Sequence, residues 1–187
     1  MNLNHEEKIE LLRIARTTLE SYLASRYFPS IRPKSPRLED RGGAFVTLDS
    51  HGNLRGCIGH MAADKPLCLS VQKMAIHAAT ADPRFQPVTL GELSEIEIEI
   101  SVLSPLAVLP HDRLSEIRVG EHGLVISHGR SRGVLLPQVA AEHGWDRETF
   151  LSHTCRKAGL PADSWKSPET VIEIFSADVF SEKEFGE

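Results

Sequence analysis

The stretch EIEIEIS, residues 95–101, alternates isoleucine with glutamate and ends on serine. A repeat of two belongs to extended backbone, so Ile96, Ile98, Ile100 and the following Val102 share one face, while Glu95, Glu97, Glu99 and Ser101 share the other. The first face is predicted to be buried and the second polar. Upstream, AFVTLD (44–49) alternates in the same way, and Leu54–Ile58 resumes an extended pattern after Ser50-His51-Gly52-Asn53, a tetrapeptide with turn chemistry. Residues 44–58 therefore read as a β-hairpin.

Helices flank these strands. Ile9, Leu12, Ala15, Leu19, Tyr22 and Leu23 recur at helical spacing, and Asn4 with Glu7 forms a capping box, which predicts a helix over 5–27. Three prolines and many charges in PSIRPKSPRLEDRGG (29–43) predict an extended, exposed connection. Apolar residues at 67, 71, 74, 75 and 78 mark a second helix, with Pro66 suited to its first turn and Cys68 packed along it. Further on, GLVIS (123–127) and GVLL (133–136) predict a second hairpin. PQVAAEHG and DRETFLSHTCRKAGL read as helices, the latter capped by Asp146 and stopped by Gly159. TVIEIFSADVF (170–180) reads as extended.

Strands joined by tight turns, mixed with helices but without β-α-β alternation, define an α+β protein whose largely antiparallel sheet is flanked by helices. Its 187 residues fit one domain, 1–187, with a smaller lobe around 52–93 inserted in a larger one. With 41% hydrophobic and 25% charged residues, the chain is neither disordered nor a membrane protein. The N-terminus lacks the features of a secretory signal, and Cys57, Cys68 and Cys155 form no C-x-x-C pair, so a cytoplasmic location is expected. A formal charge of −5 with dispersed basic residues argues against nucleic acid as a partner. Nine histidines include His60, His77, His111 and His128 as the obvious metal candidates, yet none stands at ligand spacing. His122 and His128 share a strand face without completing a site, so no metal and no cofactor are expected.

The chemistry concentrates in NLRGCIGHM (53–61). Alternation places Leu54, Gly56 and Ile58 toward the core, and Arg55 and Cys57 together on the opposite face, ~6–7 Å apart. A fixed positive charge at that separation favours a thiolate by ~2–3 kcal/mol in a partly buried cleft, and by only ~0.6 kcal/mol in water. Gly56 and Gly59 remove bulk on both sides of the thiol, as a close-approaching ligand or backbone requires. Against this stands a plainer reading: a cysteine beside glycine is commonly a small buried hydrophobe, and Arg55 has Glu97 or Glu99 to pair with. In ATADPRFQPVTLGEL, Arg84 is placed to clamp an anion with Asp82 orienting it, or the Asp-Pro-Arg sequence is simply a turn.

LRGCIG, ADPRFQPVT, VGEHGLVIS, LLPQVAAEHGWD and CRKAGL, in this order, resemble the AMMECR-type domain family from about Gly43 to Phe180. The resemblance implies a two-lobed α+β protein with the cysteine hexapeptide near a cleft. It also implies a place in the AmmeMemoRadiSam system, beside a Memo-like protein and a radical SAM protein. Leu54–Gly59 match the hexapeptide; Asp82, Arg84 and Phe85 match the second motif; His60 stands where the family often has a small hydroxyl residue. Three functions remain open: a cleft protein binding a small molecule or partner segment near Arg55 and Cys57; an enzyme with Cys57 as nucleophile and Arg55 activating it; or an interaction module whose SEKEFGE tail is merely solvated.

Overall fold

The computed structural model describes residues 3–186. The chain divides into two compact units, one running to Leu103 and resuming at Asp178, the other covering Ser104–Ala177. Residues 52–93 lie inside the first unit.

In the first unit, helix α1 (His5–Ser25) begins at the expected capping box. The Asn4 side chain accepts the Glu7 N–H, and the Glu7 carboxylate accepts the Asn4 N–H. It ends at Arg26 in a left-handed conformation. The proline-rich connection is less exposed than its composition suggests. A 3₁₀ turn at Pro36–Glu39 drives Leu38 fully into the core, and Glu10 accepts the N–H groups of Lys34 and Ser35. Strands β1 (Ala44–Ser50) and β2 (Asn53–His60) form the predicted hairpin. Its two-residue turn has φ of 54° at His51 and 80° at Gly52, the doubly positive geometry that matches the twist of a tight hairpin.

Helix α2 (Leu67–Thr80) starts after Pro66 and buries Cys68 as expected. Strand β3 (Ile96–Leu103) pairs antiparallel with β1, giving the order β2-β1-β3 with β2 at an edge. Ile96, Ile98, Ile100 and Val102 are buried as their period of two demands; Ser101, opposite Phe45, is buried too. Val46, Leu48, Ile98, Ile100, Leu11, Leu19 and Val71 belong to one apolar cluster between the sheet face and the two helices.

The second unit contains strands β4 (Ala107–Val108), β5 (His122–His128) and β6 (Ser131–Leu135), helices α3 (Pro137–Glu142) and α4 (Arg147–Lys157), and strand β7 (Val171–Ser181) up to Ala177. All of its strand pairs are antiparallel. Asp146 caps α4 by accepting the Thr149 N–H, and Gly159 closes it with φ 75°. After β7, helix α5 (Glu182–Phe185) follows in the first unit. The terminal stretch is not merely solvated: Glu182 is buried, pairs with Arg16 and accepts the Ile98 N–H. Glu187 lies outside the described residues.

One departure from simple alternation shapes the site. Leu48 pairs with Gly56, but the next β1 residue, Asp49, pairs with Leu54, leaving Arg55 as the extra residue of a β-bulge. The bulge turns Leu54, expected in the core, to 42% exposure. Gly56 still faces inward, where a Cβ would stand 2.2 Å from the Ala78 carbonyl oxygen of α2. Gly56→Ala must push the sheet and α2 apart and is expected to cost about 2–3 kcal/mol, whereas Gly52→Ala meets no neighbour and costs about 1 kcal/mol of left-handed strain. Denaturant unfolding of the two variants checks the ranking.

Candidate functional site

Hydrogen-bond alternation fixes which main-chain groups of β2 point outward. Gly43 accepts the Leu103 N–H, so odd-numbered residues of β1 bond toward β3 and even-numbered ones toward β2. Ala44, Val46 and Leu48 then bond to His60, Ile58 and Gly56, and Cys57 and Gly59 direct their main-chain groups to the open edge.

At that edge the Cys57 N–H donates to Asp82 Oδ2 at 2.9 Å. The same carboxylate receives three donors from Arg84: its N–H (3.1 Å) and Nε (2.9 Å) on Oδ1, and Nη2 (2.7 Å) on Oδ2. Four N–H donors on one carboxylate explain how a side chain only 2% exposed remains charged. The Arg84 guanidinium, first among the causes, holds the Asp82 carboxyl far below the ordinary carboxylate range; burial opposes this, and the Cys57 and Arg84 N–H groups add to it. Reciprocally, Arg84 is raised above its ordinary value by the Asp82 hydrogen bond, against burial, with the Asp82 charge contributing. Arg84 Nη2 and the Cys57 N–H meet on the same carboxylate oxygen, Asp82 Oδ2. Its side chain is 54% exposed, and the guanidinium lies 5.3 Å from the Phe85 ring centroid.

Arg55, the cationic neighbour that alternation expects for the thiol, commits its guanidinium to protein acceptors. Its Nε and Nη2 bond to Glu92 at 3.1 and 3.0 Å, and Nη1 bonds to the Gln86 carbonyl at 2.8 Å. Its carboxylate partner is Glu92, not Glu97 or Glu99, and Glu92 is itself fixed by the N–H and hydroxyl of Thr89. Thr89 hydrogen bonding, with Arg55 also contributing, holds the Glu92 carboxyl below its usual range against the effect of burial. Cys57 is half-buried, and its sulfur accepts the Thr47 hydroxyl at 3.3 Å. Thr47 was not singled out in the sequence; its register opposite Cys57 is the signal that finds it.

The two glycines serve internal packing. Gly56 admits the Ala78 carbonyl, and the Phe45 ring lies where a Cβ of Gly59 would be, 2.1 Å away. Cavities of about 600, 770 and 690 Å³ lie along Arg16 and Glu182, along α1, and around Cys68; Cys57, Arg55 and Arg84 line none of these three. Of the candidate metal histidines, His111 and His128 both meet Thr170, while His60 has a separate partner. His60 Nε2 lies 3.3 Å from Asp64, His111 bonds the Thr170 carbonyl, and His128 bonds the Thr170 hydroxyl. Among the described residues, no group of three or more histidine, cysteine or acidic side chains is placed to hold a metal.

An antiparallel-sheet α+β chain with a cysteine on a strand edge locked by a buried aspartate, itself paired with a half-exposed arginine, is thus the class that fold and site define. The AMMECR1 family pattern matches residues 12–180, and the chain belongs to that family. It is 46% identical over 185 residues to a protein of Methanothermobacter thermautotrophicus, covering 96% of each chain. It is 44% identical over 189 residues to Protein MK0488 of Methanopyrus kandleri, covering 97% of this chain and 91% of that one. The crystal structure of the uncharacterized protein PH0010 from Pyrococcus horikoshii matches with TM-score 0.85 and 41% identity over 92% of this chain and 90% of that one.

The depressed Asp82 carboxyl links stability to pH. A carboxyl that titrates below its unfolded value of ~3.9 contributes fully above that value, and its contribution fades as pH falls toward the folded pKa. Asp82→Asn is expected to lose about 2–3 kcal/mol at neutral pH, from one buried charge-assisted network. The gap to the wild type should narrow below about pH 4. Denaturant unfolding of both proteins across this range checks it; a gap independent of pH contradicts the assignment.

Proposed function

We propose that this protein binds, beside Cys57, a small molecule or partner segment carrying an anionic group, which Arg84 receives while the thiol lies against the ligand. The observation that supports this reading is the Asp82 carboxylate, which holds the Cys57 backbone and the Arg84 guanidinium at once. A bound ligand would meet a guanidinium already oriented, so little side-chain entropy is lost on binding. Arg55, tied to Glu92, shapes the strand and does not touch the ligand. The family resemblance supports a cytoplasmic setting beside Memo-like and radical SAM partners. In keeping with this, no helix among the described residues is long and apolar enough to cross a membrane.

The nucleophilic-enzyme reading asks for a base at the sulfur. The sulfur's hydrogen-bond partner is a hydroxyl, and His60, opposite the core residue Ala44, stands on the other face of the strand. Binding is therefore the better supported function.

Alkylation of Cys57 by iodoacetate, an anion, and by iodoacetamide, its neutral analogue, tests the anion seat, with Cys68 and Cys155 buried. A unit charge ~6 Å from the reacting atom contributes about 0.7 kcal/mol in water, about threefold in rate. The iodoacetate-to-iodoacetamide rate ratio is expected to fall by about that factor or more in Arg84→Gln, and to be largely kept in Arg84→Lys. An unchanged ratio in Arg84→Gln sinks the proposal.

A further inference from the structure

The edge of β2 is blocked at one point and open at the next. The Cys57 N–H is occupied by Asp82, while the Cys57 carbonyl and both main-chain groups of Gly59 face outward from the sheet by the same alternation. The Phe45 ring covers the side-chain side of Gly59, and the main-chain groups of Gly59 lie in the plane of the sheet edge. An added antiparallel strand places one residue opposite Gly59, where it exchanges both main-chain hydrogen bonds, and the residue two further on opposite Cys57. That second residue can donate its N–H to the Cys57 carbonyl. Its own carbonyl finds no donor, because Asp82 has taken the Cys57 N–H.

A chain that ends there escapes the conflict. Its terminal carboxylate falls on the Asp82 side of the edge, where Arg84 has committed Nε and one Nη2 hydrogen inward and retains the second Nη2 hydrogen and both on Nη1. A parallel strand would bring an N-terminal ammonium to the same guanidinium, and like charges exclude it. Asp82 does not repel the incoming carboxylate as a bare anion would, since four N–H groups already surround it. The terminal residue's side chain would share the sheet face of Cys57 and Thr47.

Resting on the anion-binding reading above, we propose that the edge of β2 at Cys57–Gly59 docks the extended C-terminus of a partner chain. Gly59 pairs with its main chain, and Arg84 receives its terminal carboxylate. N-acetyl-trialanine, as free acid and as C-terminal amide, probes this on the intact wild-type protein. The readouts are the Gly59 amide resonance and the rate of Cys57 alkylation by iodoacetamide. The acid is expected to shift the Gly59 amide saturably and to slow alkylation, with the amide binding about tenfold more weakly, one charge-assisted contact. Arg84→Gln should erase the difference between acid and amide; should that variant not fold, the wild-type comparison decides alone. Equal binding of acid and amide, or binding of neither, overturns the proposal. So does protection of Cys57 without movement of the Gly59 amide, an outcome that leaves the anion seat of the preceding section standing.

Discussion

The organisation of the first unit around Cys57 depends on one buried carboxylate. Asp82 follows the end of α2 and lies beside the edge of β2, so two elements brought together by the apolar core also need a polar joint. A neutral side chain could accept fewer of the four N–H groups converging there. An ionised carboxylate accepts them all, and the arginine two residues on supplies the countercharge that makes burial tolerable. The turn, the edge strand and the arginine head are therefore fixed by the same atoms.

The bulge at Arg55 separates the charges around the thiol. By leaving Arg55 unpaired in the ladder, it frees that side chain to reach Glu92 and the Gln86 carbonyl, and Glu92 in turn belongs to the capping box of the 3₁₀ turn at Leu90–Glu95. Two arginines thus end up in two separate ion pairs. Arg55 places three donors on protein acceptors, whereas the Arg84 side chain stays about half exposed.

Local signals were legible wherever the physics is local. The Asn4–Glu7 box, the His51-Gly52 turn, the Asp146 cap and the isoleucine alternation of β3 each follow from a few adjacent residues, and each stands where the sequence puts it. What escaped was set by distant contacts. Leu38 lies in a charged, proline-rich stretch and is buried because the 3₁₀ turn folds it onto the core. Leu54 is exposed because a bulge, invisible to a strict period of two, shifts the register. An arginine side chain reaches several ångströms in any direction, so strand alternation located the backbone of Arg55 without choosing its partner. Asp82 and Arg84 were identifiable as a pair, yet the acceptance of the Cys57 N–H joins residues 25 apart and belongs to the tertiary structure.

Much of what makes the family motifs recognisable is the service of packing and chain reversal. Gly159 closes α4 in a left-handed conformation, Gly123 admits the Phe175 ring, and in the hexapeptide Gly56 and Gly59 admit a carbonyl and a phenyl ring. Ile58 packs on the core and Arg55 is spent on Glu92. Removing the groups already satisfied within the protein leaves, at this site, the Cys57 thiol, the outer donors of Arg84 and the main-chain edge at Gly59. These three belong to one strand and the turn bonded to it, and they differ in kind: one soft nucleophile, one cation, one pair of neutral hydrogen-bonding groups. The end of a polypeptide, which carries an anionic carboxylate and a peptide main chain together, is one ligand that satisfies all three.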